Sequence, residues 1–118
     1  MRILFILPLA WLAACDSGPM PPRVQGGDAA RGRVLLAQYQ CGSCHRIEGV
    51  AAARGDIAPP LDSFGQRSYI AGQLPNQPEV LVRWLVDPPA LKPGTTMPAM
   101  GVSAQDARHM AAYLYALP

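Results

Sequence analysis

Two thiols three positions apart, with an imidazole directly behind the second, make Cys41-Gly42-Ser43-Cys44-His45 the densest chemistry in the chain. C-x-x-C-H is the pattern that attaches a c-type haem covalently. On a short helical turn both sulfurs can reach the two vinyl groups of one porphyrin and form thioethers. The next residue then lies under the ring, where a neutral imidazole nitrogen can bind iron. Gly42 and Ser43 are small, which lets the backbone lie close to the macrocycle. A redox dithiol and half of a zinc site are the competing uses of two such cysteines. The first calls for a βαβ context and the second for another ligand pair, and no cysteine follows Cys44.

Iron held by an imidazole on one side needs a ligand on the other. Met97 and Met100 compete, in Met97-Pro98-Ala99-Met100. Residues 92–98 form a loop held extended by its prolines, and a thioether on a stiff loop is what a sixth ligand requires. Met110 falls on a helical core stripe, and Met20 in a Pro/Gly-rich stretch. His109, the other histidine, is expected on the polar side of the last helix as a solvated side chain. A proline carbonyl in Ala58-Pro59-Pro60-Leu61 could accept the imidazole N–H of His45, fixing the ring and making it more basic.

The elements that position these groups are helical. Asp28 caps a first helix running to about residue 39. Gly32 inside it costs about 1 kcal/mol relative to alanine, so another backbone should pass close by, and Leu35 and Leu36 should be core. Gln77 to about Val86 forms another helix, with Pro78 in its first turn and Val80, Leu81, Trp84 and Leu85 on one apolar face. Pro88-Pro89 ends it. Ser103 caps the last helix with Asp106 at the capping-box position, and Ala107, Met110, Ala111, Leu114 and Leu117 are its buried stripe. No stretch alternates long enough for a strand. The fold class expected is all-α.

The chain has 118 residues, enough for one domain of about 90 residues once the ends are set aside. A core of that size is marginal by apolar burial alone, and a covalently held haem gives short helices a large apolar plate to pack on. The formal charge is +2, and Lys92 is the one lysine. A strongly basic face is therefore absent, which argues against nucleic-acid binding.

The three cysteines leave one over. Arg2, the apolar run 3–12 and Leu12-Ala13-Ala14-Cys15 read as a signal peptide over 1–14, too short for a comfortable membrane span. Leu-Ala-Ala-Cys resembles a bacterial lipobox. That likeness implies a lipidated Cys15, an export route that suits c-type attachment, and a lipid anchor at the periplasmic face of the cytoplasmic membrane. Asp16 in the next position matches the enterobacterial signal for inner-membrane retention. Residues 15–26 then form a Pro/Gly-rich tether with a reach of about 30 Å, ahead of a domain over 27–118.

With its parts in this order, 27–118 resembles class I cytochromes c. The likeness runs from Leu81 through Trp84, Asp87-Pro88 and Pro93-Gly94-Thr95 to Met97. It implies three to five short helices around one haem c, covalently bound through Cys41 and Cys44, with His45 as proximal and Met97 as distal ligand. It also implies that Pro59 bonds the proximal histidine, that Arg67 pairs a propionate despite one inserted residue nearby, that Trp84 lies near the methionine sulfur, and that Asn76 lies near a position bonding the other propionate. Gly32 matches the crossing of first and last helices and Tyr113 the aromatic met there. Leu36, the other crossing hydrophobe, stands where an aromatic is usual.

The run Ile70-Ala71-Gly72-Gln73-Leu74-Pro75-Asn76, followed by Trp84, Lys92-Pro93-Gly94 and Met97-Pro98-Ala99-Met100-Gly101, is similar to the cytochrome c domain fused to subunit II of haem–copper oxidases. The function implied is single-electron transfer by a carrier with a monomeric head rather than catalysis. Its partners would be a terminal oxidase or a cytochrome bc complex. A fixed cytochrome subunit of a periplasmic dehydrogenase or reductase is the alternative. A five-coordinate haem sensor, with Met97 unbound, is a further one.

Overall fold

Helix α1, Ala29–Gln38, begins where Asp28 accepts a hydrogen bond from the Arg31 amide at 3.0 Å, a cap worth about 1 kcal/mol. The computed structural model describes residues 22–118. The leader, Cys15 and the tether as far as residue 21 lie outside the described residues. Gln40 takes a left-handed conformation (φ 58°) that ends α1 and throws the chain into a 3-10 turn, Cys41–Ser43. An irregular loop and a second 3-10 turn, Phe64–Gln66, lead to two-residue strands β1, Tyr69–Ile70, and β2, Leu74–Pro75. They pair antiparallel, Ile70 opposite Leu74. Among the described residues this hairpin and an isolated bridge, Arg46 with Arg54, depart from an all-helical chain, and both are too short to show as alternation in the sequence.

Helix α2, Pro78–Val86, starts with Pro78 tolerated because first-turn amides need no intrahelical partner. Pro88-Pro89 ends it as expected, but the same residues open a further short helix, α3, Pro88–Leu91, capped by the Asp87 carboxylate on the Ala90 amide. Helix α4, Ala104–Ala116, is capped by Ser103 accepting from the Asp106 amide at 3.1 Å. The Asp106 carboxylate does not complete a capping box. It accepts the Tyr39 hydroxyl instead, at 2.8 Å, and that bond raises the tyrosine pKa above its ordinary value.

The most extensive helix contact is α1 on α4. Gly32 makes it possible: a Cβ there would overlap the His109 carbonyl. The expected stripe of α4 is buried throughout, with Ala107, Met110 and Ala111 at 0% exposure. Burying a side chain such as Met110 contributes about 1.5–3 kcal/mol. Helix α2 buries Val82 besides the four residues expected, so most of its circumference is covered.

Two expectations need correction. The packed domain begins before residue 27: Val24 is 1% exposed, and the Arg23 guanidinium sits 3.9 Å over the Tyr115 ring while donating to the Gly65 carbonyl. His109 is not a solvated side chain, since its Nδ1 accepts the Asp28 amide at 2.9 Å and ties α4 to the start of α1. The Tyr113 hydroxyl donates to the Glu48 carbonyl at 2.6 Å.

Candidate haem-attachment site

The Cys41–Ser43 turn is held from outside by the loop that follows it. The Gly55 amide donates to the Gly42 carbonyl at 2.9 Å, and the Ala58 amide to the Cys44 carbonyl at 3.0 Å. The Leu61 amide closes on the Arg46 carbonyl. Gly42 is glycine for a reason other than approach to a ligand: a Cβ would overlap Ala53 of the same loop. Residues 53–61 thus form a collar around the motif, something no motif pattern reveals.

Cys41 and Cys44 are both thiols rather than a disulfide. Burial pushes the Cys41 thiol above its ordinary pKa. A dithiol oxidoreductase needs the opposite, a stabilised thiolate. Among the described residues no three His, Cys, Asp or Glu side chains group as a metal site, so the second ligand pair of a structural zinc is not supplied there.

His45 Nδ1 lies 2.6 Å from the Pro59 carbonyl oxygen. A carbonyl only accepts, so Nδ1 carries the proton and Nε2 presents its lone pair. This is the tautomer a metal-binding imidazole requires, with the added basicity that a carbonyl partner confers. Pro59 is kept in place in turn. Arg67 Nη2 donates to the carbonyls of Pro60, at 2.6 Å, and Asp62, at 2.9 Å. Its guanidinium also lies 5.5 Å from the Phe64 ring centroid. Arg67 spends one of its three nitrogens in this way, so Nε and Nη1 could still meet a carboxylate.

Asn76 departs from expectation. Its Nδ2 donates to the carbonyls of Phe64 and Arg67, both at 2.9 Å, and its Oδ1 accepts the Tyr115 hydroxyl at 2.8 Å. Its backbone amide bonds the Ser68 carbonyl. Every donor is spent on the protein, which makes Asn76 a cross-link between the second 3-10 turn, the hairpin and α4. Nothing in its residue type marked that use.

Met97 is half-buried and packs against the core cluster to which Trp84 belongs. Met100 is 45% exposed. Of the two competing thioethers, Met97 is therefore the one turned towards the apolar interior. Two thiols, a tautomer-fixed imidazole and a partly buried thioether are the donor set of a haem c, and the residues present fit that group.

Residues 29–118 match the sequence model of the family described as Cytochrome c. The chain is 39% identical over 90 residues to cytochrome c oxidase subunit 2 of Alkalihalophilus pseudofirmus, covering 75% of this chain and 25% of that protein. Subunit 2 of Bacillus subtilis is 34% identical over 89 residues, 74% of this chain and 25% of the relative. That of Bacillus sp. strain PS3 is 32% identical over 90 residues, again with 25% of the relative covered. The chain thus spans about a quarter of the length of these relatives, and the matching portion is a cytochrome c domain related to that of oxidase subunit 2. Its helices with one small hairpin are those of the same fold. The match across three-quarters of the chain adds what the local chemistry alone could not: this protein belongs to the cytochrome c family, whose members carry haem c and transfer electrons.

Proposed function

We propose that this chain is a membrane-anchored monohaem c-type cytochrome that carries single electrons to a haem–copper terminal oxidase. The observation that carries the reading is the 2.6 Å contact from His45 Nδ1 to the Pro59 carbonyl on a C-x-x-C-H turn, together with Met97 seated on the apolar cluster. Haem c supplies a one-electron ferric/ferrous couple that exchanges electrons through the ring edge. The residues divide the remaining work. Cys41 and Cys44 would hold the haem through thioethers that make attachment permanent. Pro59 aims His45, whose Nε2 would hold the iron, and Arg67 braces the Pro59–Asp62 stretch. Met97 would supply a second iron ligand, and a thioether there with an apolar surround would favour the reduced state and raise the potential. With His45 and Met97 both holding the iron, oxygen would find no coordination site.

The oxidase as partner rests on the relatives' names and on the shared run from Ile70 to Gly101. The lipid anchor at Cys15 and the periplasmic location rest on the leader pattern. No helix of the described residues is long and apolar enough to cross a membrane. Stopped-flow mixing of the reduced holoprotein with a solubilised haem–copper oxidase in oxygenated buffer tests the function. Cyanide-sensitive oxidation within seconds is expected, and oxidation no faster than without the enzyme contradicts the reading. In detergent phase partitioning the full-length protein should enter the detergent phase and Cys15→Ala should not.

A further inference from the structure

Helix α3 ends at Leu91, and the chain then runs without regular structure through Met97 to the cap at Ser103. Two short-range bonds shape this loop, the Thr95 amide on the Lys92 carbonyl at 3.1 Å and the Met97 amide on Thr95 Oγ1 at 3.4 Å. Among the described residues, a single hydrogen bond ties residues 92–102 to a part of the chain more than four positions away. It is Lys92 Nζ donating to the Ala71 carbonyl at 2.9 Å.

The acceptor is unusual. Ala71 and Gly72 form the hairpin tip, both left-handed (φ 51° and 76°), closed by the Gln73 amide on the Ile70 carbonyl. Alanine is strained in that region, and the turn points the Ala71 carbonyl at the lysine. An ammonium on a carbonyl is a charge-assisted bond, stronger than a neutral one. The Lys92 backbone is fixed at the same place, its amide on the Pro88 carbonyl at 3.0 Å. Lys92 therefore joins α3, the hairpin tip and the base of the Met97 loop.

We infer that Lys92 is a positioning residue for the sixth ligand: its ammonium clamps the Met97 loop to the β1–β2 tip and keeps the thioether on the iron. The inference rests on Met97 being that ligand. A ligand on a loop with one long-range hydrogen bond would leave the iron whenever the loop opens. An added small ligand binds only to the opened fraction, so its apparent affinity reports that fraction.

The test is titration of ferric holoprotein with imidazole, in wild type, Lys92→Met and Lys92→Arg, with thermal unfolding of the helices as a parallel record. Lys92→Met should bind imidazole about tenfold more tightly, as expected for losing one charge-assisted bond. Lys92→Arg, which keeps a cationic donor, should restore most of the wild-type value, and helical unfolding should move little. Equal imidazole affinity in wild type and Lys92→Met overturns the clamp, as does an Arg variant as open as the Met variant. A wild-type ferric spectrum lacking the methionine charge-transfer band overturns the clamp and the Met97 assignment together. That outcome is told apart because it shows in the unsubstituted protein.

Discussion

At the scale of single residues, chemistry and scaffolding are divided between neighbours that look alike in sequence. Arg67 and Asn76 both carry several N–H donors and both flank the second 3-10 turn. Arg67 keeps donors to spare after bracing the stretch that presents the Pro59 carbonyl to His45. Asn76 keeps none, because two carbonyls and a tyrosine hydroxyl use its amide completely. Truncating Asn76 should therefore affect stability more than potential. Asn76→Ala strands part-buried carbonyls and is expected to lower unfolding stability by about 2 kcal/mol. Denaturant unfolding followed by circular dichroism measures it, and a redox titration of the same variant should show little change. Cys41, Cys44, His45 and Met97 stand out in the sequence because their types and spacing are those that holding a haem c would require. The Pro59 carbonyl could be anticipated as well, since a Pro-Pro loop sits a short way beyond the histidine. Asn76 could not: a backbone carbonyl as partner leaves no trace in residue types.

At the scale of elements, the α1–α4 crossing holds the two ends of the domain together, and it is narrow. Gly32 was legible as a close approach because glycine inside a helix has a cost that needs an explanation. The His109 link between α4 and the first turn of α1 was not, because helical periodicity placed the imidazole on the polar side and said nothing about which amide it would meet. Gly32→Ala should force the helices apart and cost about 3 kcal/mol, read as a lower denaturant midpoint in the holoprotein. Helix α2 is tied to α4 by Glu79 and Arg108, whose paired bonds are 2.8 and 3.0 Å long. Those bonds hold the Glu79 pKa below its ordinary value. A depressed carboxylate contributes above its unfolded pKa of about 4.3 and loses that contribution as pH falls through the folded value. The acid limb of a stability–pH curve should thus be shallower in Glu79→Gln than in wild type, with the two curves parallel at neutral pH. The pair is exposed, so the difference should be small. The hairpin and α3 escaped the sequence reading for a simple reason: two-residue strands and a one-turn helix fall below the length at which any period can be seen.

At the scale of the whole molecule, the chain combines a one-lysine, nearly neutral composition with a packed domain that already includes Arg23 and Val24. A single buried valine in a Pro/Gly-rich stretch makes no pattern, so the sequence does not reveal that packing begins as early as Arg23 and Val24. A molecule with formal charge +2 has little long-range field to steer partners. Electron transfer to an oxidase should therefore slow only weakly, by less than about tenfold, as salt rises from low to physiological strength. The function proposed turns on something more local than any of this: one haem held between His45 and Met97. Near-infrared magnetic circular dichroism of the ferric holoprotein tests it most directly. The methionine-to-iron charge-transfer band should be present in wild type and in Met100→Ala and absent in Met97→Ala. A wild-type spectrum without that band, or a band that survives in Met97→Ala, would contradict the account.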